Sequence, residues 1–326
     1  MVRIGTSGWS YPSGQGTWNG VFYPRRRGRG FDELAYYAEH FDVVEVNSTF
    51  YRMPEAPMTR RWAERTPAGF LFAVKLFQKF THPDMYLARV PSEAWHPSLA
   101  DLDLFRAGVG PLADAGKLGP VLVQFPTSFH AGPEAAEYIT WLVEALRDYD
   151  VAVEVRHRGW FEGEAADDLV ARLAAAGAAL AAADSPETAP EKDVGWLFQN
   201  QNLENPNKSG HLGSELPRKS HPTSFSYVRM HGRNAAAWWH HAAAEDRYNY
   251  LYSPAELRPV GEALQRASAA GRRAFAFMNN HYSAKAVANA AILKGQLGQE
   301  VAGDYEPEML DRYPDLQGIV RTNRLL

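Results

Sequence analysis

The chain is predicted to fold as a (β/α)8 barrel, on three observations. Short apolar runs alternate with helical patterns along nearly the whole length, the signature of βα units feeding a parallel sheet. Eight such runs occur, near residues 2–6, 42–47, 70–75, 120–125, 151–156, 178–183, 225–230 and 274–279, and eight crossover-linked strands suit a closed barrel. The turn after the first run, Gly5-Thr6-Ser7-Gly8-Trp9, lacks the G-x-G-x-x-G spacing that an open dinucleotide-binding sheet places there. At 326 residues the chain exceeds the roughly 250 of a typical barrel. A single domain over 1–326 is therefore expected, with an insertion at 185–224 and a C-terminal extension at 296–326.

Helix signals fall between the runs. After the second, Trp62 sits in a short amphipathic segment, Ala56–Thr66, closed by Pro67. Pro133 opens a helix in which Ile139, Leu142, Val143 and Leu146 recur at helical spacing, and Leu169, Val170 and Leu173 repeat the device before Gly177. Ser253-Pro254-Ala255-Glu256 combines an N-cap serine, a proline at the first helical position and a glutamate completing a capping box, with Gly271 as the stop. Residues 10–30 break the rhythm with glycine and with the run Arg25-Arg26-Arg27-Gly28-Arg29, which reads as a solvated loop. Residues 185–224 break it again, a length that marks a functional loop or an insertion.

Composition narrows the function. Apolar residues make up 45% and charged residues 22%, ordinary for a globular chain with a sizeable core. A net charge of −4 gives no basic field for nucleic acid or anionic membrane. The absence of cysteine removes disulfides, thiolate nucleophiles and thiolate metal sites. The N-terminus lacks a secretory pattern and no apolar run approaches the roughly 18 residues of a membrane span, so a cytoplasmic location is expected.

The informative pattern lies at the strand ends, nearly all of which carry polar residues. The second strand gives Glu45 and Asn47, the third Lys75, the fourth Gln124, the fifth Glu154 and Arg156. Asp184 follows the sixth, Arg229 and His231 with Arg233 close the seventh, and Asn279 and Asn280 the eighth. Alternation along a strand puts Glu45 with Asn47, Glu154 with Arg156, and Arg229 with His231 on common faces. The outer face of a barrel strand is covered by helices, where an unpaired charge costs several kcal/mol, so these side chains belong inside, at the C-terminal mouth. The competing reading is a buried ion-pair network that only fixes geometry. His82 and His157 read as loop histidines.

The strings resemble a known family. Ile4-Gly5-Thr6-Ser7-Gly8-Trp9 with Trp18 and Phe22-Tyr23-Pro24, and the block from Phe41 through Glu45 and Asn47 to Tyr51, are similar to the YecE-like family, a catalogued domain of unknown function. Phe72-Ala73-Val74-Lys75 with Thr81-His82, Gly119 to Phe125, Val153 to His157, Tyr227 to Arg233 and Phe277 to Asn280 extend the likeness across 1–295. The resemblance implies a (β/α)8 barrel and carries no established activity.

The residues point to an enzyme (hydrolase, lyase or isomerase) acting on a small polar or anionic ligand at the mouth. Glu45 and Glu154 are candidates for general acid and base, with Asp184, His231 and Lys75 as further catalytic groups. Arg156, Arg229 and Arg233 would bind a carboxylate or phosphate, Asn47, Gln124, Asn279 and Asn280 would add polar contacts, and Trp9 and Tyr51 would wall the pocket. A retaining glycosidase, needing carboxyls about 5 Å apart, fits poorly with acids three strands apart. A divalent metal on Glu45, Glu154, Asp184 and His231 is the main variant. Neither a nicotinamide cofactor nor a P-loop nucleotide is expected. The alternative is a non-catalytic binder of a small ligand or of single-stranded nucleic acid, drawing on Trp9, Trp18, Tyr51, Trp238, Trp239, Tyr248, Tyr250 and Tyr252. No membrane partner is expected, and a monomer is the default.

Overall fold

The computed structural model describes residues 1–90, 96–186, 225–239 and 244–322, so most of the 185–224 insertion lies outside the described residues. Eight parallel strands close in sequence order: β1 (Val2–Ser7), β2 (Val43–Val46), β3 (Leu71–Lys75), β4 (Leu118–Gln124), β5 (Val151–Glu154), β6 (Ala179–Asp184), β7 (Phe225–Met230) and β8 (Arg273–Met278). The ring is sealed by β8 on β1, with Val2 opposite Ala274 and Thr6 opposite Met278. Every strand stands where the apolar runs predict it, with ends moved by no more than two residues. The larger shifts have local causes. β4 begins early beside a register irregularity between Phe72 and Val74, and β5 ends at Glu154, where Phe125 donates its N–H to the Glu154 carbonyl.

Between and after the strands the described residues form α1 (Glu33–His40), α2 (Ser48–Tyr51), α3 (Ala56–Glu64), α4 (Pro83–Leu87), α5 (Leu99–Asp114), α6 (Pro133–Ala145), α7 (Gly163–Ala175), α8 (Ala235–Trp239), α9 (Pro254–Ala269), α10 (Lys285–Gln296) and α11 (Pro307–Arg312). The capping box at α9 is present in both directions: Ser253 Oγ accepts from the Glu256 N–H, and the Glu256 carboxylate accepts from the Ser253 N–H at 2.9 Å. Ser253→Ala should therefore lower unfolding free energy by about 1 kcal/mol in a urea titration. A change within about 0.3 kcal/mol would mean that the proline and the packed face of α9 hold the helix start without the cap. The close approach of α5 to the segment before α3 depends on Gly108, where a Cβ would stand 2.2 Å from the Pro54 carbonyl oxygen, and Thr59 Oγ1 of α3 donates to the Gly108 carbonyl at 2.7 Å.

Alternation sorts the side chains into two layers. Inside the ring, Phe225, Tyr227, Phe275 and Phe277 from β7 and β8 fill the space left by Ala152, Ala179 and Ala181 on β5 and β6, so large and small residues are complementary across the barrel. Outside, Val44, Phe72 and Val121 meet Trp62, Phe105 and Leu112 from α3 and α5. The 10–30 stretch is tied down by Trp18, Phe22 and Tyr23, all fully buried. Its arginine run faces solvent as expected, with Arg27 paired to Glu33 at 2.7 Å.

The C-terminal extension adds a two-stranded parallel sheet, β9 (Asp304–Tyr305) with β10 (Arg321–Thr322). Tyr305 packs on His40 of α1, and the Tyr313 hydroxyl donates to the Ser283 carbonyl after β8. The extension thus closes the helix layer where the barrel's first and last units meet. No helix among the described residues is long and apolar enough to cross a membrane.

Candidate active site

The inward positions at the C-terminal strand ends converge on one guanidinium. Arg229, with 1% of its surface exposed, projects from β7 into the barrel axis. Its Nε and Nη2 each donate to Glu45 at 2.8 Å, a two-pronged fork that fits a carboxylate. Its Nη1 donates to Glu154 Oε2 at 2.7 Å and approaches Gln124 Oε1 at 3.3 Å. Ser7 Oγ and the Tyr227 hydroxyl also donate to Glu45, both at 2.7 Å. Glu45 therefore accepts four hydrogen bonds with no exposed surface, which is what a buried carboxylate requires. Arg156 Nε donates to the other Glu154 oxygen at 2.8 Å. Burial alone would raise the Glu154 pKa, but the charges of Arg229 and Arg156 outweigh it and hold the group well below the carboxylate range.

His231 stands beside this network. Its Nε2 lies 3.3 Å from Arg229 Nη1 and 3.8 Å from Glu154 Oε1, and its Nδ1 lies 2.8 Å from the Asn279 amide nitrogen. Burial, then the Arg229 charge, pushes its pKa well below the ordinary value, so the ring is neutral.

The network has an accessible rim on the β2–β5 side. Lys75 is 8% exposed, and its Nζ sits 3.8 Å over the Phe50 ring. Among the described residues that amine has neither a hydrogen-bond acceptor nor a carboxylate at bonding distance. Burial, reinforced by Arg229 and Arg156, drives its pKa well below the lysine range, against a partial pull from Glu154 and Glu45. His82 packs edge-on against the same Phe50 ring, 4.7 Å between centroids, with Nδ1 2.8 Å from Thr81 Oγ1. Burial, then Lys75 and Arg156, pushes His82 down to about 3. Asn47 Oδ1 is buried with no partner among the described residues, and Tyr51 stands at the edge, 55% exposed.

The opposite side is aromatic. Tyr11 stacks on His281 at 4.2 Å, Tyr248 lies 4.8 Å from His281 and 6.1 Å from Trp238, and Trp238 lies 6.3 Å from His231. Burial lowers His281 to about 4.

The fold thus brings together Glu45, Lys75, Gln124, Glu154, Arg156, Arg229, His231 and Asn279, with Asn47 and Tyr51 at the rim. It does not bring in the remaining expected residues. Asp184 accepts from Arg233 Nε at 2.9 Å, and Arg233 Nη1 reaches Glu256 at 3.4 Å, forming a separate cluster against the start of α9. Arg233 thus meets Asp184 but neither Glu45 nor Glu154. Trp9 turns outward, its ring 5.5 Å from Trp62 and 6.4 Å from Phe72, because its position puts it in the layer between barrel and helices. Asn280 is fully buried and donates to the Tyr250 carbonyl and to Asn289 Oδ1, tying loops to α10. His157 accepts from the Gly159 N–H in a turn, as a loop histidine should.

Arg229, expected to contact ligand, has its donors engaged by two carboxylates and acts here as the tie between them. Among the described residues no three His, Asp or Glu side chains gather as a metal site, and Asp184 stands apart from the other expected ligands. Ser7 and Tyr227 donate to Glu45 and His82 packs on Phe50, neighbours of this network that the strand-end reading passes over. Ser7 and Tyr227 share the inward parity of the residues it does select. A separate cleft of about 520 Å³, lined by Phe80, Phe125, Phe129, Tyr138 and Trp141, is apolar, and its Lys79 is held by Asp101 at 2.8 Å.

Known proteins share this frame. The family described as "Protein of unknown function DUF72" matches residues 3–311. The UPF0759 protein YunF of Bacillus subtilis is 25% identical over 317 residues, covering 96% of this chain and all of its own. The UPF0759 protein YecE of Escherichia coli is 29% identical over 163 residues, about half of each chain. A solved DUF72 protein from Thermotoga maritima superposes with a TM-score of 0.64 at 30% identity, covering 92% of this chain and all of its own. One from Enterococcus faecalis reaches 0.68 at 21%, covering 94% and 98%. The chain belongs to the DUF72 family, whose closed eight-stranded barrel it shares.

Proposed function

We propose that the chain is an enzyme that binds a small anionic ligand at the C-terminal barrel mouth and moves a proton on it, as an isomerase or lyase. The observation that carries this reading is Lys75, a buried amine with no acceptor among the described residues, set in a frame of fixed charges. Burying such a group without a partner is unfavourable, and structural lysines avoid it. The neighbouring Lys79 and Lys117 illustrate the structural solution: Lys79 pairs with Asp101, and Lys117 donates to the Ala63 and Thr66 carbonyls at 2.6 Å.

Glu154, held ionised, cannot serve as a proton donor, and Glu45 has its oxygens occupied. Lys75, whose proton is loosened by burial and by the charges of Arg229 and Arg156, can accept a proton and return it, which suits isomerisation or elimination beside an acidifying group. Arg156 supplies the fixed charge for the ligand's carboxylate or phosphate, and Gln124 and Asn47 supply polar contacts at the same rim.

Thermal shift against carboxylates and sugar phosphates tests this. An anion at about 100 times its Kd should stabilise the protein by about 2.7 kcal/mol. The shift should disappear in Arg156→Gln and with uncharged analogues. No shift with any anion, or an equal shift in Arg156→Gln, would contradict the reading. Turnover of a stabilising ligand, followed by NMR of its exchangeable protons, separates an enzyme from a binder.

A further inference from the structure

We infer that Lys75 is a covalent residue: its Nζ forms an imine with an aldehyde or ketone that carries a carboxylate or phosphate close to the carbonyl. This rests on the anionic-ligand reading above and names the substrate class for the same site.

The geometry meets three requirements of amine catalysis. The amine must be able to give up its proton to expose its lone pair, and among the described residues no carboxylate or other acceptor at bonding distance holds Lys75 Nζ in its charged form, the Phe50 face lying 3.8 Å away. It must be positioned rather than mobile, and it leaves the end of β3 with its stem packed inside the barrel and 8% of its surface exposed. It must sit where its neutral form is favoured, and the nearby cations Arg229 and Arg156 belong to side chains pinned by Glu45 and Glu154. Burial beside other cations is a recognised way to make a lysine nucleophilic at neutral pH.

The steps balance. Nζ attacks the carbonyl carbon, forming a C–N bond while the C=O π electrons move to oxygen. A proton passes from nitrogen to that oxygen, giving a carbinolamine. A second proton, from solvent, converts the hydroxyl to water, which leaves as the nitrogen lone pair forms C=N⁺. One amine, one carbonyl and one proton thus become one iminium and one water. The iminium restores a positive charge among Arg229 and Arg156, which is unfavourable by itself. A substrate that brings its own negative charge offsets it, which is why the carbonyl compound should be anionic. The iminium then acidifies the adjacent C–H, the reaction class proposed above.

Borohydride trapping tests this on the intact chain. The protein is incubated with glyoxylate or pyruvate and sodium cyanoborohydride near pH 7.4, then mapped by peptide mass spectrometry. Hydride addition to the iminium carbon leaves a stable secondary amine. A surface lysine is only about one part in a thousand neutral at that pH, so Lys75 should carry about tenfold or more the label of any exposed lysine. Inorganic phosphate or Arg156→Gln should reduce the Lys75 label, and Lys75→Gln, checked for folding by its melting curve, should remove it. Label spread over exposed lysines with Lys75 unmodified would overturn the imine. If anions still shift the melting point in that case, the anionic-ligand reading survives alone. If they do not, both fall.

Discussion

Replacing Arg229 by methionine should destabilise the protein by about 3–5 kcal/mol, the largest effect of any single substitution in the barrel mouth. The guanidinium holds both Glu45 oxygens at 2.8 Å and one Glu154 oxygen at 2.7 Å, and both acids have no exposed surface. Removing it strands two carboxylates in a medium that cannot solvate them. Glu154 keeps Arg156, but among the described residues Glu45 keeps only the neutral donors Ser7 and Tyr227. The destabilisation belongs to the orphaned acids more than to the lost contacts, so a second substitution, Glu45→Gln, should recover a large part of it. Urea unfolding of the two single variants and the double variant measures this as a cycle. Strict additivity of the two single effects would show that the pair is not coupled and that the network is drawn wrongly.

Acid should be the second large perturbation. Glu154 has a folded pKa below the ordinary 4.5, so the unfolded chain takes up its proton first as pH falls. Its contribution is present above about pH 4.5 and is lost as pH drops through the folded value. The histidines act with the same sign for a different reason. His82 is held at about 3, His281 at about 4 and His231 well below the ordinary 6.5, chiefly by burial. Between those values and 6.5 the unfolded chain is the protonated one, so each of the three erodes stability as pH falls below 6.5. Asp184 opposes them, because burial raises its pKa and the folded state keeps its proton longer. Unfolding free energy should therefore fall steadily from pH 7 to pH 4, more steeply than one group allows. In His82→Gln the slope between pH 6.5 and 4 should flatten. An unchanged slope in that variant would place His82 in solvent rather than against Phe50 and Lys75.

Much of this arrangement is legible in the sequence because it follows from parity. In a closed barrel the inward face is set by a two-residue period, and Glu45, Lys75, Gln124, Glu154 and Arg229 are all read correctly as inward by that rule. The rule can fail where the strand has ended: Trp9 and Arg233 share inward parity but follow the last ladder residue by two or more positions, and there the loop sends Trp9 to the helix layer and Arg233 to Asp184 and Glu256. His82 reads as a loop histidine for the same reason, and a short turn after β3 folds it back over Phe50. Asn280 has the outward parity of Ala276 and Met278, and alternation alone would have excluded it. Pairing is a further quantity that alternation does not contain. That Arg229 should be shared between two acids, while Lys75 receives none among the described residues, depends on side-chain reach across the ring.

The most direct measurement is the titration of Lys75 itself. In protein labelled with 13C at the lysine ε-carbon, the Lys75 resonance, assigned by its absence from Lys75→Gln, should titrate well below the surface lysines, and Arg156→Gln should move it upward. A Lys75 signal that stays protonated past pH 10 along with the exposed lysines would contradict the account, because an amine so placed would be an ordinary buried cation with a partner.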